Sequence, residues 1–303
     1  MSVPIPRLDK DWTVETLRSD DGTPLRYGLY CKSDTWDHLL IFINGRTEWL
    51  EKYHFLPKAL DLPPSTAFLT CDHRGQGASG GSPADIPSYN VYVSDLLTIL
   101  RHINVSSGYS IIAHSMGGLI GLYGTLQKML SPSSLVLTSP LLRFQQMETT
   151  PALFRTAIKL LGATPLKSVP SGFSGRNSLS FETNPYTHDA NHFHLIANAP
   201  YRTPSPTFGW INQSLQAISS VFDQQLLEEL TVPTLVLSGT KETVVDPRGF
   251  RDWVRLASDI APAKVTYHQT AQAKHELLNE TPLLRKQAIQ NIKHWMKEIW
   301  QDT

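Results

Sequence analysis

Residues 113–117 read Ala-His-Ser-Met-Gly, preceded by the apolar Tyr109-Ser110-Ile111-Ile112 and followed by Gly118-Leu119-Ile120-Gly121-Leu122. An apolar strand that runs into a serine among very small residues, with a helix directly behind, predicts a nucleophile elbow. This sharp turn lifts a hydroxyl clear of the sheet, and the chemistry it serves is nucleophilic catalysis. Three things follow from one turn. Ser115 is exposed, the positive end of the helix dipole faces the oxyanion formed by its attack, and the Met116 amide becomes an oxyanion donor. The first glycine of the G-x-S-x-G pattern is replaced by Ala113. That position needs a small side chain against the neighbouring strand, and alanine provides one.

A serine hydroxyl needs a general base, and the base needs a group that fixes its tautomer. On an elbow scaffold the order along the chain is serine, acid, histidine. His275, in Ala271-Gln272-Ala273-Lys274-His275-Glu276-Leu277, follows the last strand and is the candidate base; His268, inside that strand, reads as structural. Past the strand Thr234–Leu237 two carboxylates qualify, Glu242 and Asp246. Asp246 directly precedes Pro247, the arrangement of a helix N-cap followed by proline. Glu242 has no such structural duty and is chosen as the acid, with Asp246 in reserve. The second oxyanion donor is expected after the strand Leu39–Ile43, where Asn44-Gly45-Arg46-Thr47-Glu48 offers the Arg46 amide. Losing one such donor typically costs about 3 kcal/mol of transition-state stabilisation.

The elements that must position these groups alternate. Trp12–Arg18 and Leu25–Cys31, joined by Ser19-Asp20-Asp21-Gly22, predict a hairpin. Continuous apolar runs at Leu39–Ile43, Ala67–Cys71, Leu135–Thr138 and Thr234–Leu237, with the run Tyr109-Ser110-Ile111-Ile112 leading to Ser115, predict strands buried in the sheet. Helices are expected from Trp49 to Leu60, from Tyr89 to Ile103, after the elbow and from Asp246, with a strand Val265–His268 and a last helix. The implied fold is α/β, a mostly parallel central sheet with helices on both faces. From about Leu141 to Phe222 the alternation lapses into a Pro-rich stretch with helical pieces. Residues 1–140 and 226–303 are read as two parts of one core. Residues 141–225 are read as a cap inserted over the carboxyl edge of the sheet, where ligands bind in open α/β folds. In the last helix Ala288, Ile292, Trp295, Met296 and Ile299 share a face, expected to pack on the sheet rather than lie on a membrane.

Composition narrows the class. Lys+Arg and Asp+Glu are both 27, so no net field draws in nucleic acid or an acidic surface. Cys31 and Cys71 are too few for a disulfide framework and lack metal-ligand spacing. The residues Met1-Ser2-Val3-Pro4-Ile5-Pro6-Arg7 carry no signal-peptide pattern, and no run is long enough to span a membrane. A cytoplasmic protein is expected, with peripheral contact at the inner membrane face as the variant of that reading.

Taken together, Asn44-Gly45-Arg46-Thr47-Glu48, Asp72-His73-Arg74-Gly75-Gln76-Gly77-Ala78-Ser79-Gly80, His114-Ser115-Met116-Gly117-Gly118 and His275-Glu276-Leu277 resemble the monoacylglycerol lipase and bacterial lysophospholipase family of α/β-hydrolases. The Gly-Arg-x-Glu and His-Arg-Gly-Gln-Gly forms, and Pro206-Thr207-Phe208-Gly209-Trp210 in the cap, lean toward the lysophospholipase branch. Departures are Ala113, Asn44 and Ala273. The resemblance implies the α/β-hydrolase fold, Ser115–Glu242–His275 as triad, no cofactor, and a carboxylic ester of a single-chain lipid as substrate. Trp210, Phe208, Phe193 and Tyr201 are candidates for an acyl pocket or for the cap's own core. Arg74 is expected to tie Asp72 and its loop in place, with a phosphate-binding role for Arg74 or Arg46 as the alternative. His188, His192 and His194 invite a zinc reading, but no fourth ligand is evident and no metal is expected. Two other functions stay open: the same triad acting on another small ester, thioester or peptide, and a catalytically silent ligand-binding protein.

Overall fold

The computed structural model describes residues 5–105, 108–145, 156, 160–162, 164–172, 180–201 and 204–301. Eight strands form one sheet: β1 (Trp12–Arg18), β2 (Pro24–Tyr30), β3 (His38–Ile43), β4 (Thr66–Cys71), β5 (Tyr109–His114), β6 (Leu135–Thr138), β7 (Thr234–Gly239) and β8 (Val265–Thr270), in the order β1-β2-β4-β3-β5-β6-β7-β8. The β1–β2 and β2–β4 pairs are antiparallel and all others parallel. Among the described residues the helices include α1 (Leu56–Ala59), α2 (Tyr89–His102), α3 (Met116–Leu126), α4 (Ala190–Ala197), α5 (Phe208–Val221), α6 (Gln224–Glu228), α7 (Pro247–Ile260) and α8 (Pro282–Gln301).

The continuous apolar strands work because the sheet has a core on each face. Leu39, Ile41 and Ile43 of β3 join Ile111, Leu137 and Val236 in one core, roofed by α2, α3, α5 and α7. The alternate residues Leu40 and Phe42 join Phe68, Ile112, Val136 and Leu235 in the other. There Ala288, Ile292, Trp295, Met296 and Ile299 of α8 are all buried, so the stripe of the last helix is spent on the sheet.

The helix expected from Trp49 to Leu60 is two short pieces, a 3₁₀ turn Leu50–Tyr53 and then α1. Pro57 is the physical reason, since it lacks an N–H and is tolerated only in a first turn. His268 lies in β8 as expected, but at the sheet edge and exposed. Between β6 and β7 the described residues hold helices, a 3₁₀ turn (Pro165–Ser168) and the isolated bridge Pro170↔Thr207, and Phe144 bridges to Val245 beyond β7. Among the described residues no helix is long and apolar enough to cross a membrane.

Candidate active site

The loops at the carboxyl ends of β3, β4, β5, β7 and β8 converge. Ser115 follows β5 and is the N-cap of α3, with φ +53° and ψ −116°, a left-handed conformation strained for a serine. Its N–H donates to Thr138 O at 3.0 Å, and its own carbonyl accepts from Leu119 and Leu141. The turn demands small neighbours. A Cβ on Gly117 would sit 2.2 Å from Ile43 O, and one on Gly118 would meet Pro140 at 2.8 Å. At position 113 the constraint is looser. The Ala113 methyl is fully buried, 3.5 Å from where a Cβ on Gly121 would lie, which is ordinary contact. Hence alanine is accommodated there.

His275, fully buried in the loop after β8, donates from Nδ1 to Glu242 Oε2 at 2.7 Å, which leaves Nε2 as the basic nitrogen. Glu242 Oε1 accepts from the Val244 and Val245 amides at 2.8 and 3.2 Å. Burial alone would raise this carboxyl, but the charge and hydrogen bond of His275 and the two amides outweigh it. Glu242 is held below the ordinary glutamate range and is ionised at neutral pH. The reserve carboxylate Asp246 is elsewhere occupied. It caps α7 through the Arg248 amide at 2.9 Å and pairs with the Arg248 guanidinium at 2.5 Å. Gly239 allows the β7 and β8 loops to meet, since a Cβ there would lie 2.0 Å from Ala273 O.

The Arg46 amide lies in a loop fixed on several sides. Asn44 donates to Cys71 O at 2.8 Å, His73 Nε2 donates to Asn44 O at 3.0 Å, Glu48 accepts the Gly45 amide and Gln76 accepts the Thr47 amide. Thr47 has φ +63°. Burial pushes His73 down to about 4, as it does His114, so both are neutral at pH 7. The Arg46 side chain turns toward the segment between β6 and β7, donating to Pro204 O and lying 5.3 Å from the Trp210 ring centre. The Met116 amide is the first of α3, where no intrahelical acceptor exists.

One expectation is corrected. Arg74 does not hold Asp72. It makes a two-pronged pair with Asp95, both contacts at 2.6 Å, and reaches Asp21 at 2.8 Å. Asp72 is held instead by Arg26 of β2 at 3.1 Å and by the Leu50 and Ala78 amides. The carboxylate turns back under its own loop toward β2, the antiparallel neighbour of β4, and Arg74 points to α2. With two carboxylates bound, Arg74 has no surplus charge for a phosphate.

The four aromatic candidates divide. Trp210 is buried in the core beneath α5 and donates to Tyr92 OH at 3.3 Å; Phe208 precedes it, half-buried. Tyr201 is 6.0 Å from Trp49, which follows the oxyanion loop, and Phe193 packs against Phe181 at 5.7 Å. The three histidines do not converge. His188 meets Glu280 at 2.8 Å, His192 meets Glu276 at 2.8 Å, and His194 is exposed. No group of three or more metal-binding side chains occurs among the described residues. Sequence reasoning missed Lys52, fully buried between Glu48 and Glu276, and His114, whose ring lies 4.8 Å from that of His275. Glu276, next to His275 in the chain, was the one available signal.

This elbow, sheet and histidine–carboxylate pair define a serine hydrolase of the α/β-hydrolase fold. The chain belongs to the family described as serine aminopeptidase, S33, whose pattern matches residues 35–282. It is 30% identical to lysophospholipase L2 of Escherichia coli K12 over 253 residues, covering 75% of this chain and 70% of that one. Against the monoglyceride lipase of Rattus norvegicus it is 28% identical over 291 residues, covering 92% and 89%. A soluble variant of the Saccharomyces cerevisiae monoglyceride lipase, solved with a substrate analog, superimposes with a TM-score of 0.78 at 18% identity over 99% of each chain.

Proposed function

We propose that the protein is a carboxylic-ester hydrolase for single-chain lipids, a lysophospholipid or a monoacylglycerol, working through an acyl-enzyme on Ser115. The observation that carries the catalytic part is the 2.7 Å bond from His275 to the ionised Glu242 at the sheet edge where Ser115 is presented. The lipid part rests on the relatives named above. Ser115 Oγ attacks the acyl carbonyl carbon as His275 Nε2 takes its proton. Glu242 stabilises the imidazolium and keeps the ring in register. The carbonyl oxygen, now negative, is held by the Met116 and Arg46 amides. The intermediate collapses, His275 returns the proton to the departing alcohol oxygen, and the acyl group stays on Ser115. Water then attacks that ester with His275 as base and releases the fatty acid. We assign residues 141–225 to a cap over this site. Tyr201, Phe208, Trp210 and Phe193 form the acyl-side walls, a reading supported by the contacts of Tyr201 with Trp49 and of Trp210 with Arg46.

The test compares hydrolysis of lysophosphatidylcholine, monoacylglycerol, p-nitrophenyl esters of graded length and aminoacyl amides, beside Ser115→Ala. Turnover of the long single-chain lipids is expected, with a loss of about 10⁵-fold or more in the variant, the scale on which triad deletions act. Turnover that survives in Ser115→Ala would remove the assignment. Serine-dependent cleavage of only short esters or amides would keep the triad and replace the substrate. An unlabelled Ser115 after fluorophosphonate treatment would favour a silent binder.

A further inference from the structure

A chain of buried charge joins the cap to both halves of the catalytic apparatus. Lys52 has no exposed side-chain surface and bridges two equally buried carboxylates, Glu48 and Glu276, the latter at 2.7 Å. Glu48 holds the Gly45 amide, immediately before the Arg46 amide of the oxyanion loop, and accepts from Tyr53 OH at 2.9 Å. Glu276 is the peptide neighbour of His275. The same Glu276 oxygen that meets Lys52 also meets Nε2 of His192, on cap helix α4, at 2.8 Å. The Glu276 amide in turn donates to Tyr186 O, which is also in the cap segment.

Ion pairs this deeply buried are poor stabilisers, because desolvation consumes most of the attraction. A packed apolar cluster would hold the same elements together at least as well. What charge adds is direction. Both Glu48 oxygens and Glu276 Oε2 have a fixed place relative to their donors, and those donors belong to three separate segments: the oxyanion loop, the turn Leu50–Tyr53 and the cap. A displacement of α4 takes a donor from Glu276, whose backbone is joined directly to that of His275.

We propose that His192, Glu276, Lys52 and Glu48 are positioning residues that couple the seating of the cap to the alignment of His275 and of the Arg46 amide. Catalytic competence is then conditional on a docked cap. A substrate that displaces α4 too far would weaken the same site that must cleave it. The proposal rests on the serine-hydrolase reading of Ser115.

The test uses the full chain and the variants His192→Ala, His192→Gln and Glu276→Gln, with His192→Ala/Glu276→Gln as the double. For each, kcat and KM on a long-chain p-nitrophenyl ester, the fluorophosphonate labelling rate of Ser115 and Tm are measured. His192→Ala is expected to lower kcat by about 10- to 100-fold with KM little changed, the size of effect that a displacement of about 1 Å produces. Labelling should slow in parallel, because the probe reads the alignment of Ser115 and His275 directly. His192→Gln, which keeps a donor toward Glu276, should recover most of the loss. The double variant should lose no more than the worse single variant, since both break the same link. Three results overturn the proposal: a rise in KM with kcat and labelling unchanged, which would make His192 a substrate contact; a lower Tm with unchanged kcat, which would make the cluster structural; and additive losses in the double variant. If wild-type Ser115 takes no label at all, the hydrolase reading falls, and the coupling falls with it.

Discussion

At the ends of β3, β5, β7 and β8 each group around Ser115 has a backbone partner on a neighbouring strand end or in its own loop: Ser115 bonds Thr138 O, Glu242 accepts two amides, and the oxyanion loop is held where the Asn44, His73, Glu48 and Gln76 side chains meet main-chain carbonyls and amides. In the segment between β6 and β7 the anchors include side chains reaching far along the chain. His192 meets a carboxylate 84 residues away, and His188 one 92 residues away. The first kind of site is set once the parallel sheet forms. The second forms only when distant segments have already docked. If the proposed coupling holds, reaction chemistry is built on the sheet ends, and control over it on the segment between β6 and β7.

The sharpest way to break this comparison lies within one loop. Glu242→Gln keeps shape and the amide bonds but removes the charge facing His275, and kcat should fall by about 10³- to 10⁴-fold, as expected when the orienting acid of a triad is neutralised. Asp246→Asn, four residues on, should retain kcat within a few-fold and lose well under about 1 kcal/mol, since asparagine also caps helices. Steady-state kinetics and urea unfolding of the pair decide it. Equal losses of activity would mean that the loop as a whole, not the Glu242 carboxylate, supports His275.

The same contrast explains what could be read from the sequence. Strand periodicity, small residues around Ser115, and a proline after Asp246 are local signals, and each has a local physical cause. Glu242 was separable from Asp246 because helix capping is legible over two residues. The Arg74 expectation failed because it paired neighbours in sequence. In the folded sheet Asp72 faces Arg26 on an adjacent strand, and nothing in the spacing of residues 26 and 72 announces that register. Lys52 was invisible for a related reason. A lysine in a polar turn reads as solvated until Glu48 and Glu276 close over it.

A smaller effect sharpens the rigid side. His73 and His114 are pushed down to about 4 by burial, below the ordinary 6.5. Between those values the unfolded chain takes up protons that the folded chain refuses. Stability therefore falls as pH drops from 6.5 toward 4, by on the order of 3 kcal/mol per histidine at the limit. Glutamine at position 73 can still donate to Asn44 O and does not titrate. Tm measured from pH 7 to 4 should therefore fall less steeply in His73→Gln than in the wild type. Parallel slopes would show that His73 is protonated in the native state, and so that the oxyanion loop is more open to solvent than its hydrogen bonds imply.

The smallest expected effect concerns Ala113, where the elbow departs from glycine. Its φ is not positive, its methyl is fully buried, and the close approaches of the turn are made by Gly117 and Gly118 instead. Ala113→Gly should therefore leave kcat within about two-fold. It should destabilise by roughly 0.5–1 kcal/mol, from the greater backbone freedom of glycine in the unfolded chain and a lost buried methyl in a strand. Thermal unfolding and p-nitrophenyl ester kinetics check both halves. A gain in rate on substitution would mean that the methyl holds β5 away from the best presentation of Ser115, and that the strand end itself limits catalysis in this chain.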